Sequence, residues 1–140
     1  MLRTELESYL KTFLNIDAYK DYAPNGIQVE GKNKIQKIVT GVTACQALID
    51  AAIELKADAI LVHHGYFWKS EPEVITGFKQ KRIKGLLMND MSLFAYHLPL
   101  DGHEELGNNA QLGKLWQLQD ITPEPGLVRL GELKQALSIN

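Results

Sequence analysis

Cysteine is nearly missing from this chain. Cys45 is the single one among 140 residues. An intrachain disulfide is therefore excluded, and with it the stapled scaffold of small secreted domains. A dominant charge is missing too. Fifteen Lys and Arg stand against 17 Asp and Glu, a formal net charge of −2. That balance gives no reason to expect nucleic acid or an anionic membrane as the main partner. No apolar run approaches the roughly 20 residues of a spanning helix. The opening MLRTELESYLKTFLN carries Glu5 and Glu7 inside its apolar pattern, which excludes a signal-peptide core. P-loop, GxGxxG and serine nucleophile-elbow motifs are absent. These absences fit a cytoplasmic protein. Cys45, set in TACQALIDAA, reads as a small packed side chain without a chemical role.

What is present is an ordinary globular composition, 45% hydrophobic and 23% charged, long enough for one domain with a real core. Leu2, Leu6, Tyr9, Leu10, Phe13 and Leu14 fall at helical spacing, and Thr4 with Glu7 can form a capping box. DYAPNGIQVEGKNK follows, with turn residues Pro24, Asn25, Gly26 and Gly31 around a short strand candidate, IQV. KIQKIVTGVT predicts a strand. Thr43 can cap a helix with Ala44, Ala47, Leu48, Ala51 and Leu55 as its buried stripe. ADAILVHH predicts a strand apolar on both faces, the mark of a parallel sheet covered by helices. VITGFKQKRIKGLLMND predicts a helix with Ile83, Leu86 and Leu87 inward and Lys79, Lys81 and Lys84 outward. MSLFAYH is a further strand and LGNNAQLGKLWQL a further helix. This β-α-β-α-β-α order predicts an α/β fold, a layered sheet largely of parallel strands with flanking helices. Residues 1–122 read as the domain. Residues 123–140, with Pro123, Pro125 and Gly126, read as a connecting tail.

Ligands of open parallel sheets bind outside the carboxyl ends of the strands. His63 and His64 lie at one such end, in ILVHHGYFW. His97 lies at another, with Asp101 four residues later in HLPLD. Neighbouring strands are about 4.8 Å apart, so these groups can meet. Imidazole with carboxylate suits zinc, iron, manganese or nickel and suits calcium poorly. The lack of cysteine ligands points to a site with open positions rather than a closed structural zinc. Adjacent residues of a regular strand face opposite ways. His63 and His64 can serve one ion if the backbone turns at Gly65, or two neighbouring ions if it does not. His97 reads as a supporting group or a general acid/base. His103 reads as surface, and Asp101 could instead cap a turn. Tyr66, Phe67 and Trp68 could stack on a flat heterocycle, but packing is the simpler reading for most of them. Lys79 to Arg82 reads as a solvated helix face.

DYAPNGIQVEG, GVTACQALIDAAIELKADAILVHHGYFW and AYHLPLDGHEELGNNAQL together resemble the dinuclear metal-binding family of GTP cyclohydrolase 1 type 2 homologs. The resemblance runs from the first helix to about Gln119. It implies an α/β protein of two similar halves, assembled as a toroidal homohexamer, with two divalent metals between the halves. His63 and His64 would each bind a different metal, Asp101 would bind one of them, and His97 would assist as an acid or base. It implies a metal-dependent hydrolase acting on a nucleotide or related heterocycle. The alternative is a non-catalytic metal-binding oligomer that scaffolds or regulates partners. Family members are longer, and their second half adds a histidine and a metal-bridging glutamate. Glu124 and Glu132 are not substitutes for that glutamate. The expectation for this chain is thus the N-terminal half of the family fold, truncated, with an incomplete dinuclear site.

Overall fold

The computed structural model describes residues 1–123, 126–136 and 138. The chain divides into two compact units, Met1–His97 and Leu98–Asn140.

The first unit opens with helix α1 (Arg3–Phe13) and a 3₁₀ turn at Ile16–Ala18. Strands β1 (Gly26–Val29) and β2 (Ile38–Thr43), helix α2 (Gln46–Glu54), strand β3 (Ala59–His64), helix α3 (Gly77–Met88) and strand β4 (Ser92–Ala95) follow. The sheet order is β1-β4-β3-β2. Strands β2, β3 and β4 are parallel, joined by helical crossovers, while β1 runs antiparallel to β4. The predicted α/β architecture with a largely parallel sheet is therefore present. Strand β3, which ends in His63 and His64, and strand β4, which leads to His97, are neighbours, as the rim argument required.

The core follows from strand alternation. Ile60 and Val62 of β3 and Leu93 and Ala95 of β4 pack with Ile49 and Ala52 of α2 and Ile83 and Leu86 of α3. Phe94 and Tyr96 alternate to the opposite face and are equally buried. Glu7 of α1 lies close enough to Tyr96 to act on its hydroxyl, which burial pushes well above its ordinary value.

Several local expectations shift. The N-cap of α1 is Leu2, whose N–H donates to Glu5 Oε2 at 2.7 Å, so the helix begins earlier than a Thr4 cap allows. Helix α2 is capped at Cys45 rather than Thr43, and its buried face rotates to Ile49 and Ala52, leaving Ala47, Ala51 and Leu55 exposed. In α3, Lys79 points inward and Leu87 outward. Lys79, Ile83 and Leu86 share one face at i, i+4, i+7, and the buried ammonium is satisfied by Glu71 Oε2 (3.3 Å) and the Pro72 carbonyl (3.1 Å).

The second unit carries α4 (Leu98–Gly102), α5 (Asn108–Leu115) and an antiparallel hairpin, β5 (Leu118–Pro123) and β6 (Arg129–Leu133). Strand β6 thus occupies part of the segment read as a connection. Pro125 and Glu124 lie outside the described residues. Among the described residues, no helix is long and apolar enough to cross a membrane.

Candidate metal centre

His63 and His64 are the last two residues of β3, and His97 sits two residues past the end of β4. The imidazoles of His63 and His64 do not splay as on a regular strand. Their centroids are 4.4 Å apart although both residues belong to β3. His97 stands 5.1 Å from His63 and 5.7 Å from His64. One ring nitrogen from each of the three lies within 4.8 Å of the others, a spacing at which one cation can be shared.

Gly65, the next residue, has no room for a side chain. A Cβ there would stand 2.1 Å from Gln28 Oε1 and 2.7 Å from Ala95 Cβ. Gln28 fills that space because its Oε1 accepts the Tyr66 N–H at 2.7 Å while its amide donates to the Pro24 carbonyl at 2.9 Å.

Each imidazole is held at Nδ1. His63 Nδ1 lies 3.1 Å from the Tyr96 carbonyl, which can only accept, so Nδ1 carries the proton and Nε2 the lone pair. His97 Nδ1 donates to Asp21 Oδ1 at 3.0 Å, giving the same tautomer. His64 Nδ1 pairs with Thr43 Oγ1 at 3.3 Å. Thr43, read from sequence as a helix cap, instead steadies a histidine from the next strand. Ring nitrogens anchored in this way to a carbonyl, a carboxylate and a hydroxyl are the usual setting of metal-binding histidines.

Asp21 and Asn25 carry no functional expectation from sequence. Their loop reads as turn chemistry, yet the Asp21 side chain is 3% exposed and the His97 side chain 9%. Asp21 Oδ1 accepts from the Tyr22 and Ala23 amides as well as from His97, and Oδ2 accepts from Asn25 Nδ2. Asn25 Oδ1 in turn accepts the backbone N–H of His97. The loop therefore grips His97 at both ring and backbone. An aspartate followed four residues later by an asparagine signals a turn, and nothing in that spacing reveals a partner 76 residues away.

The aromatic residues after the histidines divide. Tyr66 is buried, donates to the Ala44 carbonyl at 2.6 Å, and burial raises its pKa to about 12, so it is packing. Phe67 packs partly against the core with Lys79 Nζ 4.7 Å from its ring centroid. Trp68 alone turns to the histidines, 4.8 Å from His97 and 5.8 Å from His64 between centroids.

Asp101 belongs to the second unit, on α4, where its Oδ1 accepts from Asn108 Nδ2 at 2.7 Å. His103 Nδ1 accepts the Glu105 and Leu106 amides at 3.2 Å each, a local turn role. A groove of about 780 Å³ on that unit, lined by Leu115, Trp116, Leu118 and Leu133, contains none of the histidines. Arg82 Nε and the Tyr96 hydroxyl are buried without a hydrogen-bond partner among the described residues, and neither belongs to the cluster.

The donor set is thus three imidazoles with their Nδ1 atoms engaged, on the carboxyl rim of a parallel sheet. It fits a borderline divalent ion.

Comparison with known proteins bears on the family and the fold. The family model for Duf34/NIF3 (NGG1p interacting factor 3) matches residues 1–140. A Yersinia pestis protein named GTP cyclohydrolase 1 type 2 homolog is 57% identical over 138 residues, covering 99% of this chain and 56% of that protein. Among solved structures, protein ybgI, described as of unknown function, superposes with a TM-score of 0.93 at 57% identity, over 96% of this chain and 55% of that one. TTHA1606 from Thermus thermophilus gives 0.85 at 42% identity, over 92% and 53%. The chain spans about half the length of the relatives it matches.

Proposed function

The chain belongs to the Duf34/NIF3 family, and on that premise we propose that it is a divalent-metal-dependent hydrolase, with a nucleotide or related heterocycle as substrate. The observation that carries this reading is the convergence of His63, His64 and His97, one ring nitrogen of each within 4.8 Å, with every Nδ1 engaged. His63 and His64 are the proposed metal ligands, and zinc, iron, manganese and nickel suit such imidazole donors. When bound, such an ion supplies Lewis acidity toward a water and toward a substrate carbonyl or phosphoryl oxygen. His97 takes the part of acid and base. Asp21 holds its Nδ1–H, so Nε2 is the atom that accepts a proton and returns it. Asn25 fixes the backbone on which that ring is mounted. The name of the relatives makes GTP the first substrate to try.

The test is metal content. Purified wild type should retain divalent metal by plasma mass spectrometry, and His63→Ala and His64→Ala should each weaken retention at least about tenfold. Full wild-type metal in both variants would refute the assignment. Turnover then separates catalysis from the scaffold alternative. Metal-loaded protein that hydrolyses neither GTP nor any other nucleotide tested favours the scaffold.

A further inference from the structure

His97 stands on the rim of the sheet, yet its side chain is only 9% exposed. Two rings cover it. Trp68 meets it edge-on with centroids 4.8 Å apart, and Tyr22 does the same at 5.1 Å. The Tyr22 and Trp68 centroids are 5.6 Å apart, so the three rings pack as one group. Neither Tyr22 nor Trp68 lies in a helix or strand. We propose that Glu71 and Lys79 are positioning residues for His97. Their ion pair locks the loop after β3 in the conformation that presses Trp68 against the His97 ring. The inference rests on the reading of His97 as acid and base at a metal centre, and adds what orients it.

The lock begins at Phe67. Its φ is 63°, a left-handed conformation that costs a bulky side chain energy. Glu71 Oε2 accepts the Phe67 N–H at 2.6 Å, the Trp68 N–H at 3.3 Å and the Lys79 ammonium at 3.3 Å. The N–H of Glu71 donates to the Trp68 carbonyl at 2.8 Å, which closes the turn. Trp68 Nε1–H donates to the Gly65 carbonyl at 3.2 Å and sets the indole plane. The Lys69 N–H donates to the Tyr22 carbonyl at 2.8 Å, and the Tyr22 N–H donates to Asp21 Oδ1 at 2.7 Å. That same oxygen accepts from His97 Nδ1. The loop therefore reaches His97 twice, through the indole against its ring and through Tyr22 to its carboxylate.

Packing alone does not explain the ion pair. Lys79 shares the inward face of α3 with Ile83 and Leu86, where an apolar side chain would desolvate no charge. A buried ion pair adds little net stability over apolar residues of like volume. What it supplies is a carboxylate at a fixed point. The Lys79 side chain is 6% exposed and that of Glu71 22%. The ammonium is also bound to the Pro72 carbonyl at 3.1 Å, and it neutralises Glu71 where the two strained amides need an acceptor.

The test uses the full chain with Trp116→Phe, which leaves Trp68 as the sole indole. Metal-free protein is read in two ways. NMR follows the carbon-bound ring protons of His97, which should stand away from free-histidine shifts because two aromatic rings adjoin them. Fluorescence follows Trp68. Glu71→Ala should return the His97 protons toward free-histidine shifts and move the indole emission to the red. Glu71→Gln keeps an oxygen for the Phe67 and Trp68 amides and should retain both signals. Lys79→Met keeps the apolar stem without the ammonium. It should move both signals part of the way, and it carries the test if Glu71→Ala does not fold. Zinc affinity should fall about tenfold in Glu71→Ala, as for loss of a group that supports a metal-binding histidine, and hold within about twofold in Glu71→Gln. Wild-type signals in Glu71→Ala or in Lys79→Met overturn the inference, whatever the stability of those variants. So does a Glu71→Gln protein whose signals move as far as those of Glu71→Ala. Signals in the expected order in a protein that takes up no zinc uphold the positioning role and remove the metal reading, so the two failures are distinguishable.

Discussion

Replacing Asp21 tests the link between the loop and the candidate centre. Its carboxylate accepts from the Tyr22 and Ala23 amides, from Asn25 Nδ2 and from His97 Nδ1. The amides of Tyr22 and Ala23 lie near the surface and can turn to water. The His97 N–H cannot turn away so easily, because both side chains of that pair are nearly buried. A buried donor left unmatched costs about 1–3 kcal/mol, and the lost amide of Asn25 adds about 1 kcal/mol. Asp21→Ala should therefore lose about 3 kcal/mol. Asp21→Asn keeps one acceptor oxygen for His97 but sets an NH₂ against the NH₂ of Asn25, and should lose about half as much. Urea unfolding at neutral pH measures both, with an unchanged denaturant slope showing that the unfolded state is not altered. Stability alone would not separate positioning from packing. Nitrogen NMR of the imidazole does: His97 should carry its proton on Nδ1 in wild type and shift toward Nε2 in Asp21→Ala. A variant within about 0.5 kcal/mol of wild type, with the His97 tautomer unchanged, would refute the reasoning.

Two other outcomes follow from the same geometry. Gly65→Ala should cost about 2–3 kcal/mol in thermal or urea unfolding, because the new methyl displaces Gln28 from its bonds to Tyr66 and Pro24. In a Gln28→Ala background the same change should cost about 1 kcal/mol less, and equal cost in both backgrounds would remove the steric explanation. Asp58 concerns acid stability. Burial raises its pKa, but Lys32 and the amides of Lys37 and Gln36 outweigh that and hold it below the ordinary value of 3.8. A depressed folded value means the contribution is complete above the unfolded pKa and is lost as pH falls through the folded one. Asp58→Asn should therefore be about 2 kcal/mol less stable at pH 7 and decline less steeply than wild type below about pH 4. Identical acid limbs for the two proteins in denaturant titrations would show that Asp58 is not the group responsible.

Adjacent-residue patterns carried much of this protein. The apolar run before His63, the crossover helices and the second histidine strand were enough to predict a largely parallel sheet and a polar rim at its carboxyl ends. Strand alternation and helical periodicity are local rules, so a local reading finds them. Lys79 marks their limit. From its charge it reads as outward-facing, yet it shares the buried face of Ile83 and Leu86, where Glu71 and the Pro72 carbonyl hold its ammonium.

The site divides along the same line. Its imidazoles could be named from the sequence because they stand where parallel sheets bind ligands. What holds them could not. Thr43, Asp21, Asn25 and the Tyr96 carbonyl reach the histidines across 21 to 76 residues. Hydrogen bonds over such separations leave no periodic trace. They exist only once strand order has placed β2 beside β3 and the loop before β1 beside the end of β4. The sequence alone therefore determined which side chains could do chemistry. Tertiary structure decided which ring nitrogen each histidine presents, that His63 and His64 converge, and that Trp68 faces the site while Tyr66 does not. Orientation is set by the partners of a side chain, and those partners come from elsewhere in the chain.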